Sequence, residues 1–169
     1  MGTPPSFTDG NIVHDVTLTA LAKPYGCRVY KSSGLSPADS TWTVISYSGA
    51  VYDTDPTSWS SGSQLALNTT GLWEIRARVT WAGNATGGRA IQVRKNAGGS
   101  VSGGTQLDLH GMQAAPAAIQ TSNLLLCEVS ATAGDYVELF VWQSSGGALA
   151  LSLSTNQYCS LTSKYKQPN

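Results

Sequence analysis

The sequence predicts an all-β protein, an antiparallel sandwich or barrel of about eight to ten short strands behind an extended N-terminal arm. Three observations carry this. Apolar residues alternate with polar ones along most of the chain, most cleanly from Leu72 to Ala82. Residues that build helix surfaces are scarce, with only three Glu and five Lys. Turn chemistry is abundant, with 18 Gly, 7 Pro, 21 Ser and 17 Thr in 169 residues.

Residues 1–26 differ from the rest. Pro4, Pro5, Gly10, Pro24 and Gly26 bracket one apolar stretch, Ile12 to Leu21, which reads as an arm with a short ordered segment. Residues 27–169 form the sandwich domain. Cys27–Tyr30 and Trp42–Tyr47 read as short strands, Asp53-Thr54-Asp55-Pro56 as a turn, Ser58–Ser63 as a loop and Gln64–Leu67 as another strand.

The next strand, Leu72–Ala82, puts Trp73, Ile75, Ala77, Val79 and Trp81 on one face and Glu74, Arg76, Arg78 and Thr80 on the other. Arg89–Lys95 follows, with Ile91 and Val93 inward. Asn96–Gly104 is a Gly-rich loop. Thr105–His110 is a strand with Leu107 and Leu109 inward, and Met112–Ala118 is a loop.

In Asn123–Thr132, Leu125, Cys127, Val129 and Ala131 share the core face. Leu124 and Leu126 lie on the opposite face beside Glu128 and Ser130, so that face needs cover from something. Ala133-Gly134 turns the chain into Asp135–Gln143, which directs Val137, Leu139 and Val141 inward. Leu149, Leu151 and Leu153 alternate as a further strand, and Tyr158–Tyr165 is the last.

Charge narrows the function classes. Charged residues make up 12% of the chain, and ten basic residues balance ten acidic ones. Nucleic acid is therefore not an expected partner, because no basic excess exists to release counterions. No run of about 18 apolar residues exists to insert in a membrane. Met1–Pro5 lacks the charged-then-apolar pattern of a secretory signal. The Asn-x-Thr triplets at Asn68 and Asn84 are accordingly read as chance matches.

Cys27, Cys127 and Cys159 are odd in number and far apart, so they read as buried reduced thiols. Cys27 and Cys159 become neighbours if the first and last strands pair. His14 and His110 have no ligand spacing, and no cofactor or metal is expected. Asp53 and Asp55 fit an Asx turn better than a calcium site. Neither Asp108 with His110, nor Glu74 with Asp135 or Glu138, makes a convincing catalytic set, and no Gly-x-Ser-x-Gly, Walker or HExxH motif occurs, so no enzyme is expected. Trp42, Tyr47, Tyr52 and Trp59 are candidates for a glycan or partner contact, weighed against an ordinary place in the core or an interface.

Several segments resemble a known family. Gly71-Leu72-Trp73-Glu74-Ile75 with Val79 is similar to a strand of C1q/TNF-like jelly rolls. Ile91-Gln92-Val93-Arg94-Lys95-Asn96 resembles that family's strand ending in Lys-Asn, and Ala133-Gly134-Asp135-Tyr136-Val137 its aliphatic–Gly–Asp–x–Val signature. Gln143–Gly147 then leads into the Leu149 strand. The resemblance spans about residues 40–165 and implies a jelly-roll sandwich and a homotrimer. It departs from the family in the last strand, where Cys159-Ser160-Leu161-Thr162 replaces an aromatic-rich segment, and in lacking a collagen-like stalk.

The arm has its own resemblance. Pro4–Val13 followed by Thr17–Leu21 is similar to the opening of small virion proteins of tailed phages, including minor tail proteins of actinobacterial phages that carry a C1q/TNF-like domain. This implies docking on other virion proteins through Phe7, Asp9, Gly10, Ile12, Val13, Leu18 and Leu21. The uncovered Leu124 and Leu126 are expected in a subunit interface about a three-fold axis. The expectation is a non-enzymatic, trimeric accessory tail protein, located in the virion, assembled in the host bacterial cytoplasm and touching a host cell-surface glycan. A capsid decoration protein and a lectin-like module are the alternatives.

Overall fold

A computed structural model describes residues 25–55, 57–116, 119–153 and 159–168. The expected docking residues Phe7, Asp9, Gly10, Ile12, Val13, Leu18 and Leu21 lie outside these. The described chain is all-β, in ten strands: β1 Gly26–Tyr30, β2 Thr43–Val44, β3 Gly49–Asp53, β4 Leu65–Leu67, β5 Gly71–Trp81, β6 Gly88–Lys95, β7 Thr105–Gln113, β8 Thr121–Ala131, β9 Asp135–Gln143 and β10 Cys159–Gln167. They pair antiparallel in two sheets. The first has the order β3-β1-β10-β5-β8; the second has β2-β9-β6-β7, with β4 also on β9. Apart from the β6–β7 hairpin, neighbouring strands are not consecutive in sequence, as in a jelly roll.

The core lies between the sheets. Trp73, Ile75, Val79 and Trp81 of β5 are fully buried and face a second sheet contributing Ile91, Val93, Leu139 and Val141. At one end of the sandwich several buried polar groups form a bonded set, although Arg89 Nε has no partner among the described residues. Trp81 Nε1 donates to Asn123 Oδ1 at 2.9 Å, and Asn123 Nδ2 donates to the carbonyls of His110 and Arg89. The Arg89 guanidinium donates to the carbonyls of Thr86 and Gly88. Buried polar groups persist because they are paired this way.

Two glycines of the resemblance segments have geometric reasons. At Gly71 φ is +152° and a Cβ would lie 2.4 Å from the Gln167 carbonyl oxygen, where β10 bulges between Tyr165 and Gln167. At Gly134 φ is +97°, which closes the β8–β9 turn. Asp135, next to it, is a turn organiser. Its carboxylate accepts from Asn96 Nδ2, the Thr132 backbone N–H and Lys95 Nζ, which hold it below the ordinary carboxylate range.

Several expectations need correction. Leu109 does not point inward: it pairs with Gln92 on the outward face and is 45% exposed, while Asp108 and His110 share the face of Val93 and Ile91. A bulge between Val93 and Arg94 puts Leu107 out of register, and it packs against the core edge. Met112 belongs to β7, not to a loop. The Leu149–Leu153 segment points its leucines inward but forms only an isolated bridge, Leu151 with Trp81. Its Leu149 and Leu151 N–H groups donate to the carbonyls of Pro37 and Leu35 instead. Only Thr43–Val44 of the Trp42–Tyr47 segment is strand, and β3 starts at Gly49, ahead of the Asp53 turn. β1 and β10 do pair, but the register sets Cys27 opposite Ser163 and Cys159 opposite Val79, and all three cysteines are free thiols.

Candidate functional site

The two sheets treat their outer faces differently. On the second sheet, Glu138 and Phe140 point away from the core yet are 0% and 1% exposed. The chain's own loops cover Glu138: Ser63 Oγ donates to Glu138 Oε1 at 2.6 Å, and the Gly99 N–H donates to Oε2 at 3.0 Å. Trp42 packs on Trp142 further along this face, with centroids 6.4 Å apart.

The first sheet has an open outer face. Leu124 and Leu126 on its edge strand β8 are 61% and 59% exposed. Register defines what stands beside them. One row across the sheet reads Tyr52, Arg28, Thr162, Arg76, Leu126; the next reads Tyr30, Ser160, Arg78, Leu124. All of these except Tyr30 line an open hollow of about 640 Å³. Beyond it, Arg76 Nε donates to Glu74 Oε1 at 2.7 Å, and Lys166 Nζ lies 3.5 Å from Glu74 Oε2. Arg76, and then Lys166, hold the Glu74 carboxyl below its ordinary range. Glu128 faces Glu74 across the ladder and is exposed.

This site joins Leu124 and Leu126 with Tyr52, and adds Arg28, Arg76, Arg78, Ser160 and Thr162, which sequence reasoning did not assemble. The alternation of β5 marked Arg76 and Arg78 as outward, but only the β1–β10–β5 register brings Arg28 beside them. The four aromatic candidates are not brought together. Tyr47 lies in the core, Trp59 packs against it, Trp42 sits on the second sheet, and Tyr52 borders the hollow of the first.

The remaining polar candidates are structural. Asp53 accepts from the N–H groups of Asp55 and Trp59, forming the expected Asx turn. Burial, then Asp53, raises the Asp55 carboxyl. Glu74 and Glu138 face outward from opposite sheets with the core between them, so they cannot flank one bond. Among the described residues, no three His, Cys, Asp or Glu side chains cluster as metal ligands. Burial pushes Cys27 and Cys159 up to about 12 and Cys127 up to about 11, which keeps all three thiols protonated and weakly nucleophilic.

No protein-family model and no curated protein matches the chain in sequence. Solved structures match its fold. Murine APRIL superposes with a TM-score of 0.66 at 13% identity, covering 85% of this chain and 100% of that one. The globular domain of zebrafish complement 1qA gives 0.60 at 8%, covering 87% and 100%. Eiger TNF from S. frugiperda gives 0.63 at 12%, covering 87% and 96%. The fold is therefore a C1q/TNF-like jelly roll, as the sequence resemblance implied.

Proposed function

We propose that this protein is a non-enzymatic structural module that assembles as a homotrimer through the outer face of its first sheet, and serves as an accessory tail protein of a tailed phage. The observation that carries self-association is the pair Leu124 and Leu126, each about 60% exposed on a face that the described loops leave open. Burying a leucine side chain stabilises by about 1.5–3 kcal/mol, so a second copy gains what solvent exposure forgoes. The C1q/TNF-like fold supports a trimer rather than a dimer, and a closed ring covers every copy's face equally.

The assignment to a virion rests on the opening Pro4–Leu21, whose pattern resembles the docking segments of phage virion proteins, with the segment ahead of β1 as the arm that docks on its target. A neutral surface rich in hydroxyls suits dense assembly. Contact with a host-surface glycan is the further role expected of a protein on a tail.

Light scattering of the purified chain should give three times the mass of 17.7 kDa; a monomer at all concentrations rules out the assembly. Electron microscopy of the particle decides its position. Density on the head in place of the tail makes it a decoration protein, and its absence from particles removes the virion reading.

A further inference from the structure

The hollow on the first sheet is more than an apolar patch. Three guanidinium-bearing residues from two strands, Arg28, Arg76 and Arg78, line it together with the hydroxyls of Ser160, Thr162 and Tyr52. No carboxylate lines it, since Glu74 lies one row away and is already engaged by Arg76 and Lys166. Arg28 Nε is buried and has no hydrogen-bond acceptor among the described residues. Arg76 and Arg78 are same-face neighbours on β5, with Arg76 paired to Glu74, and Arg28 stands across β10 from them beyond Thr162; a buried donor without an acceptor is unfavourable.

We infer that this hollow is an oxyanion site that takes a phosphate or sulfate group. A tetrahedral oxyanion offers several acceptors at once, which suits guanidinium forks flanked by hydroxyls. At about 640 Å³ the hollow is far roomier than one such ion requires. The wall formed by Leu124 and Leu126 suits the carbon skeleton of an ester that bears the group. The residues all belong to one chain, so the site does not depend on self-association. Should a second copy cover this face, the bound anion supplies the countercharge that desolvated arginines need.

The test is thermal unfolding of the full chain in inorganic phosphate, in glycerol 3-phosphate and in sodium chloride at matched ionic strength. A saturable rise of about 3 °C or more over the chloride control is expected from either phosphate. Arg28→Gln and Arg78→Gln should each abolish it. A stronger response to glycerol 3-phosphate identifies an ester as the ligand, and an equal one identifies the free ion. A wild-type response no greater than chloride overturns the site, as does a full response in both variants. If a variant does not fold, calorimetric titration of the wild type decides, and no saturable heat overturns the proposal. Light scattering on the same samples separates the readings: a monomer that binds phosphate ends the trimer and keeps the site, and a trimer indifferent to phosphate does the reverse.

Discussion

The outer faces of the two sheets begin from the same pattern and end differently. Both β8 and β9 alternate, and both place large apolar residues on the side away from the core: Leu124 and Leu126 on β8, Phe140 and Trp142 on β9. On β9 the chain folds back over its own outer face, and Phe140 is as buried as any core residue. On β8 nothing in the described chain does so. An apolar residue on an outer face thus has two meanings, and only the location of the loops tells which applies. The face sealed by its own chain serves stability, and the open face is available to something else.

That contrast can be broken in stages. The largest effect is expected for Phe140→Ala, which should cost about 3–5 kcal/mol of folding stability in a denaturant titration. A loss below 1 kcal/mol would mean the face is not sealed. Glu138→Gln comes next. Two donors, Ser63 Oγ and the Gly99 N–H, converge on the carboxylate, and an amide in its place turns one of its groups into a third donor. About 1–3 kcal/mol should be lost, read in the same titration.

Asp135 ties β9 to the Asn96 turn, and its sign with pH is definite. A carboxyl held below its ordinary range contributes stability that is complete above the unfolded value near pH 4 and is lost as pH falls through the folded value. Asp135→Asn should therefore be about 1–2 kcal/mol less stable than wild type at pH 7, with the gap closing as pH falls below the unfolded value and through the folded one. A gap independent of pH would show that hydrogen-bond geometry, not charge, holds this turn.

The open face should behave in the opposite way. Leu124→Asp with Leu126→Asp should change the stability of the isolated chain by about 0.5 kcal/mol or less, as surface substitutions do, while abolishing self-association in a sedimentation experiment. Unfolding that remains dependent on protein concentration in this double variant would place the interface elsewhere. The smallest effect is expected at the thiols. Cys27 and Cys159 should resist a thiol reagent at pH 8 until the protein is unfolded, because burial keeps them protonated.

Much of this was legible in the sequence where burial is one-sided. In β5 the alternation from Trp73 to Trp81 leaves one way to face a core, and the structure buries that set. The same holds for β8, and β6 and β9, although buried on both faces, also appear within two residues of the expected bounds. Where burial is weak, the pattern fades. β3 leaves no pattern in the sequence because it is an edge strand with Val51 and Tyr52 about half exposed, so no core demands alternation of it. β7 was found, but a single bulge moved Leu109 to the outside, and a bulge leaves no mark in hydrophobic period.

By itself the sequence determined the class of fold, the strands of the core and which side chains of each point inward, because a period of two is a local property that follows from backbone geometry. It also singled out Leu124 and Leu126 as leucines on the wrong side. Only the tertiary structure decided that their face stays open while that of Phe140 is sealed, and that Arg28, Arg76, Arg78, Ser160 and Thr162 share one hollow. These positions come from β1, β5 and β10, separated by up to 134 residues of chain and joined only by strand order and register. Such pairings are settled by global packing, which no local pattern encodes.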